Sequence, residues 1–197
     1  SYQKSFFYNL KKNKIRIAIA RAGNVIGGGD LSENRIIPDA FKCWSKKNKL
    51  LIRNPYSTRP WQFVLEPLSG YLLTAKMLFE DKIKGGDAFN FGPPANQNFS
   101  VIEVVEEMSK YWDKVKWIDK TSEYMGPKES GLLKLNCDKA FHLLRWRPVW
   151  NFFETVEYTV KWYKNYYCNE HKVSDFSELQ IINYLNKATK IELVWTK

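Results

Sequence analysis

An α/β fold is predicted by three features of this sequence. Ile15, Ile17 and Ile19 alternate with Arg16, Ala18 and Ala20, the pattern of a short buried strand, and run into a glycine-rich stretch. Short apolar strands then alternate with amphipathic helices along the chain, as expected when helices pack on a sheet. Two capping signatures, Ser100 with Glu103 and Asn151 with Glu154, mark helix starts within that alternation.

Taken in order, Tyr2 to Leu10 reads as the end of a helix, with Phe6, Phe7 and Leu10 at helical spacing. The strand from Ile15 and the glycine-rich stretch follow. Ile36 to Trp44 reads as a helix and Leu50-Leu51-Ile52 as a short strand. Arg53 to Pro60 is a turn-rich loop, and Trp61 to Leu65 another short strand. Glu66-Pro67 fits a helix start with proline at the first helical position, and Leu68, Leu72, Ala75 and Leu78 continue as its apolar face. Ala88 to Gly92 is a strand ending at Pro93-Pro94; the Ser100 helix, a strand from Val115 to Ile118 and a polar loop from Thr121 to Ser130 come next. Leu132 to Leu135 reads as a further strand, Asn136 as the cap of a helix to Leu144, and Asn151 as the start of a helix to about Tyr166. A final helix is expected near Glu178 to Lys187.

With 197 residues the chain is long enough for one sizeable core. Hydrophobic residues make up 44% and aromatic residues 16%, which excludes a disordered chain. The formal charge of +10 raises the possibility of nucleic-acid binding, yet only Lys11 to Lys14 and Lys46 to Lys49 cluster, both at polar helix ends. Scattered lysines give no basic stripe, so a basic nucleic-acid or protein-binding module is the minor reading. Cys43, Cys137 and Cys168 are odd in number and far apart, which suits a reducing, cytoplasmic setting and offers no disulfide framework. His142 and His171 form no metal-ligand spacing, and no metal is expected. No apolar run has the length of a membrane span. The chain begins at Ser1, inside a helical pattern, which is an odd place for a natural start.

The strongest local signal is Arg21-Ala22-Gly23-Asn24-Val25-Ile26-Gly27-Gly28-Gly29-Asp30. Ligands of open α/β sheets sit at the carboxyl ends of strands, where such stretches emerge. Its glycines let the backbone approach a ligand, or simply end a strand in a turn; the residues alone leave both readings open. The spacing is not G-x-G-x-x-G, and no P-loop lysine follows. Arg59 carries a planar fork suited to phosphate oxygens, Arg35 and Arg53 add charge, and Asn24 and Asn90 are candidate hydrogen-bonding groups for sugar or phosphate. Trp61 is a candidate for stacking on a ligand or, more in keeping with so aromatic a chain, for the core. Tyr8 with Lys12 and Tyr124 with Lys128 match the Tyr-x-x-x-Lys spacing of short-chain dehydrogenases, but one lies at a helix end and the other in a loop, and both are read as chance.

Three blocks carry a resemblance: Ala20 to Asp30, Ile52 to Gln62 with its Ser57-Thr58-Arg59-Pro60-Trp61 centre, and Leu65 to Leu73 beginning Leu65-Glu66-Pro67-Leu68. With Asn90-Phe91-Gly92-Pro93, Leu133-Lys134-Leu135 and Trp162-Tyr163 they resemble the CDP-glucose 4,6-dehydratases, a branch of the extended short-chain dehydrogenase/reductase family. The resemblance implies the C-terminal part of a Rossmann-type enzyme with its smaller mixed α/β substrate-binding domain. Residues 1–30 and part of 61–92 would end the Rossmann domain, and the remainder of 1–197 would be mostly the nucleotide-sugar-binding domain. NAD is the implied cofactor, a nucleotide sugar (CDP-glucose) the implied substrate, and a homodimer or higher homo-oligomer the implied assembly. By the same resemblance Asn24 would contact sugar or phosphate and the backbone at Val25 the nicotinamide side of NAD. Arg35 would lie along the nucleotide, Arg59 would clamp the pyrophosphate, and Asn90 would sit near the nucleotide. Arg53 and Glu129 are placed at the substrate by position only. The family's acid/base residues and Tyr-x-x-x-Lys pair would precede this stretch, so no catalytic residue is expected in it.

Four positions depart from the family pattern. Leu31 stands where a Trp is usual, Phe63 where a His is common, Lys128 before Glu129 where His-Glu is expected, and Arg145 where a Gly precedes the Trp. They bear on the identity of the nucleotide more than on the fold.

Overall fold

The computed structural model describes residues 2–7, 15–123, 131–168 and 172–197. Within them α1 (Tyr2–Phe6) precedes β1 (Ile19–Ala22) and β2 (Asn24–Ile26), and α2 (Ile36–Ser45) leads to β3 (Leu50–Ile52). Then come β4 (Thr58–Arg59), β5 (Trp61–Phe63), α3 (Leu65–Phe79), β6 (Ala88–Phe91), β7 (Phe99–Ser100), α4 (Val101–Ser109) and β8 (Trp117–Asp119). The chain closes with α5 (Asp138–Leu143), α6 (Phe152–Cys168) and α7 (Val173–Lys190). The mixed α/β class expected from the alternation is the class observed.

The strands pair two by two. β1 runs parallel to β6 with Ile19 opposite Ala88, and β2 runs parallel to β5 with Asn24 opposite Trp61. β3 is parallel to β8, and β4 is antiparallel to β7. Between β1 and β2 the chain crosses from β6 to β5 at Gly23, where an added Cβ would lie 2.9 Å from Pro60.

The main core gathers β2, β3 and β5 with one face each of α2, α4 and α6. Phe41 of α2 stacks on Tyr163 of α6 at 4.2 Å and 11°. Met108 and Val160 have no exposed surface, and Val104 and Trp112 are buried with them. A second cluster joins Phe63, Trp150 and Tyr184, and a third holds Phe89, Phe91, Leu144 and Trp146 beneath α3.

Two helix starts follow the expected local chemistry, whereas the final helix begins at Val173, five residues before the expected Glu178. Ser100 Oγ accepts from the Glu103 N–H while the Glu103 carboxylate accepts from the Ser100 N–H, a complete capping box. Asn151 and Glu154 make the same reciprocal pair at 3.0 and 2.9 Å before α6. At α5 the Asn136 side chain accepts the Asp138 N–H at 3.0 Å, although Cys137 occupies the cap position itself.

Four expectations need correction. The strand begins at Ile19 rather than Ile15, and both isoleucines are about half exposed, because among the described residues β6 is the partner of β1 on one edge only. The glycine-rich stretch is partly strand, since β2 pairs with β5 before the turn at Gly28-Gly29. In α3 the helix opens at Leu65, with Pro67 still in the first turn, and the expected apolar face is turned outward: Leu68 is 44% and Leu72 74% exposed, while Ser69, Gly70, Leu73 and Thr74 are buried. An added Cβ on Gly70 would stand 2.3 Å from the Phe91 ring, so small residues set the packed face. Finally, Leu132 to Leu135 forms no strand; Leu132 makes a single bridge to Thr58.

Candidate functional site

The carboxyl ends of β2 and β3, the start of α2 and the β4 turn enclose one cavity of about 1020 Å³. Its wall carries Arg35, Lys49, Arg53 and Arg59 against Asp30 and Asp39, a net cationic lining. Asn24 and Val25 of β2 reach the same space, as does Trp61. Five of the seven residues expected to bind substrate or cofactor therefore share one chamber: Asn24, Val25, Arg35, Arg53 and Arg59.

Two do not join them on what is described. Asn90 of β6 does not line this cavity; its Nδ2 donates to the Asn136 carbonyl at 2.8 Å, and its Oδ1 is buried without a partner. Glu129 lies outside the described residues, as do Tyr8, Lys12, Tyr124 and Lys128.

Each wall residue is held by its element. Arg59 is half-buried on β4, whose pairing with β7 fixes its direction, and its Nη1 donates to the Thr58 carbonyl at 2.9 Å. Trp61 is 4% exposed, and its Nε1 donates to the Phe99 carbonyl at 2.9 Å, so core packing rather than an open stacking face is its main role. Tyr163 of α6 lies buried behind the cavity wall. Its hydroxyl donates to the Asp30 carbonyl at 2.5 Å, and burial pushes its pKa up. Burial raises Asp30, but hydrogen bonds from Ser32 and the Arg35 guanidinium outweigh it and hold the carboxyl below its usual range. The Cys43 thiol, also at the wall, is raised by burial against the opposing charge of Lys46.

The glycines do a different job from cradling a ligand. An added Cβ on Gly28 would fall 2.0 Å from Cγ of Trp162, and one on Gly27 would fall 2.8 Å from Val64. Their conformation admits this chain's own helix α6 and β5 exit, and the polar contacts to a ligand fall to the side chains around them. Asp30, Lys49 and Tyr163 were not singled out by sequence. Asp30 closes the glycine motif and Tyr163 lies in the Trp162-Tyr163 block, so their signal was positional; Lys49 carried none beyond its lysine cluster.

This geometry, two parallel strand exits facing a cationic chamber, is that of the extended short-chain dehydrogenase/reductase fold, matched in a C-terminal part. The structure aligns with UDP-glucuronic acid 4-epimerase from Bacillus cereus, solved with UDP-glucuronic acid and NAD, at a TM-score of 0.68 and 19% identity over 84% of this chain and 48% of that one. It aligns with dTDP-glucose 4,6-dehydratase from Bacillus anthracis, solved with NAD, at 0.57 and 17% over 79% and 47%. Within that class the chain is similar to the CDP-glucose 4,6-dehydratase of Salmonella typhimurium, with 38% identity over 89% of its length. It spans about half, 51%, of that relative. No protein-family model matches the chain.

Proposed function

We propose that this chain is the nucleotide-sugar-binding part, with the end of the Rossmann domain, of an NAD-dependent enzyme that dehydrates CDP-glucose to CDP-4-keto-6-deoxyglucose. The observation that carries the reading is the convergence of Asn24, Arg35, Arg53 and Arg59 on one cavity in a chain so similar to a CDP-glucose 4,6-dehydratase. Residues 1–30 and part of 61–92 then belong to the Rossmann domain and the rest mostly to the substrate domain.

Arg59 suits the pyrophosphate because its fork makes two parallel N–H···O bonds to one anion. Arg35 and Arg53 bind along the nucleotide, and Asn24 hydrogen-bonds sugar or phosphate from the end of β2. Asn90 is assigned near the nucleotide by the resemblance alone, since it lies off the cavity with its Oδ1 buried. Glu129 is assigned by position.

The residues present fit one end of NAD. Val25, 37% exposed on β2, offers backbone at the cavity wall for the nicotinamide side, while no described glycine run opens directly into a helix as a pyrophosphate site requires. NAD bound there would supply the redox chemistry of the dehydration, as hydride acceptor and donor to the sugar. This chain's part is to bind and orient the nucleotide sugar. The proton-transfer residues implied by the resemblance are not assigned to any residue here, so the chain alone is inactive, and the complete enzyme acts as a homo-oligomer in the cytoplasm.

Calorimetric titration with CDP, UDP and dTDP at fixed salt tests the reading. Selective CDP binding that Arg59→Ala abolishes is expected. Preference for UDP or dTDP moves the protein to another nucleotide-sugar dehydratase or epimerase, and salt-steep DNA or RNA affinity without CDP binding restores the basic-module reading. Formation of 4-keto product by this chain alone would overturn the predicted inactivity.

A further inference from the structure

We propose that Asp30 is a positioning residue for Arg35, holding its guanidinium on the cavity wall where the anionic nucleotide is received. The proposal rests on the nucleotide-sugar reading above. Asp30 Oδ2 meets Arg35 Nη1 at 3.0 Å, and Asp30 Oδ1 accepts the Ser32 N–H at 3.0 Å. Its main-chain carbonyl accepts the Tyr163 hydroxyl at 2.5 Å. Tyr163 has no exposed surface and stacks on Phe41, so a rigid core tyrosine anchors the residue that grips a surface arginine.

The arrangement makes little sense as a stabilising device. The Arg35 side chain is 65% exposed and that of Asp30 30%, and ion pairs so open to water contribute little to folding. Glu33, the other carboxylate of this loop, is engaged by Lys42 at 3.3 Å, which leaves Asp30 to direct Arg35. Both members line the cavity. Because the pair's charges cancel, long-range attraction falls to Lys49, Arg53 and Arg59, and Arg35 acts by geometry. An arginine held in place before the ligand arrives loses less rotamer freedom on binding.

A double-mutant cycle tests this, with CDP titrated calorimetrically into wild type, Asp30→Asn, Arg35→Ala and the double variant. Asparagine keeps an acceptor for Ser32 and the carbonyl for Tyr163 but loses the charge that orients Arg35. The expected result is a CDP affinity about 3- to 10-fold weaker in Asp30→Asn, with no further loss when Asp30→Asn is added to Arg35→Ala. Equal losses in both backgrounds would show a purely structural role and overturn the proposal, as would unchanged or tighter binding in Asp30→Asn. Wild type that melts cooperatively yet binds no CDP overturns the nucleotide-sugar reading, and the proposal falls with it; wild type that binds CDP without coupling overturns the proposal alone.

Discussion

Glu66→Gln should flatten the pH dependence of stability between about pH 4.5 and 7. Glu66 is 1% exposed in the first turn of α3 and joins three elements. Its carboxylate accepts the Trp150 N–H at 2.8 Å, the Val149 N–H at 3.0 Å and the Tyr184 hydroxyl at 2.8 Å. Burial lifts its pKa to about 7 from an ordinary 4.5, although those three donors and the charge of Lys187 all pull the other way. The folded state thus holds the proton more tightly than the unfolded chain does. That stabilisation is complete below about pH 4.5 and is lost as pH rises through 7. A shift of this size corresponds to about 3 kcal/mol across the window. Glutamine keeps an oxygen acceptor for the two N–H groups and cannot ionise. Urea unfolding followed by tryptophan fluorescence from pH 4.5 to 8, at constant ionic strength, reads the difference directly, since every other titrating group is common to both proteins. Wild type and variant should agree within about 1 kcal/mol near pH 5, with the variant ahead by up to about 3 kcal/mol at pH 8. Parallel curves would refute the burial argument and mean that the three donors keep Glu66 ionised throughout.

Other outcomes follow from packing and capping. Gly28→Ala forces a Cβ into the Trp162 indole and should lower stability by about 1–3 kcal/mol in thermal denaturation. Leu73→Ala should cost about 2–4 kcal/mol while its neighbour Leu72→Ala changes stability by less than about 0.5, which checks the orientation of α3 in one pair of melts. Ser100→Ala removes one half of the α4 capping box and should cost about 1 kcal/mol by urea unfolding. Burial and the nearby Asp138 charge push the Cys137 thiol up to about 11, so iodoacetamide at pH 8 with mass-spectrometric mapping should label exposed Cys168 and spare Cys137 until the protein unfolds.

How much was legible depended on the range of the interaction. Ser100 with Glu103 and Asn151 with Glu154 close their bonds within one helical turn, so the sequence alone located α4 and α6. The face of α3 was misread because counting large apolar residues at helical spacing favours Leu68 and Leu72, whereas the buried side carries Ser69, Gly70, Leu73 and Thr74, with Gly70 close against Phe91. Ser69 also accepts the Trp146 Nε1–H at 3.0 Å, a contact between residues 77 apart that no local pattern announces. Leu132 to Leu135 has strand composition but gains only one bridge, and pairing is a property of the partner.

The candidate site divides in the same way. Asn24, Arg35, Arg53 and Arg59 lie on stretches that follow or flank strands, so their direction into one chamber follows from topology once β2 and β5 are paired. The glycines next to them were the loudest signal, and a Cβ at Gly28 would strike Trp162 of α6 rather than open space. That inverts the usual inference from a glycine-rich strand exit. The glycines bring α6 close, α6 carries Tyr163, and Tyr163 fixes the backbone of Asp30 beside Arg35. Glycine at this strand exit therefore shapes the cationic cavity at one remove. Losing Gly28 should displace α6 and, through Tyr163 and Asp30, disturb Arg35 on the cavity wall.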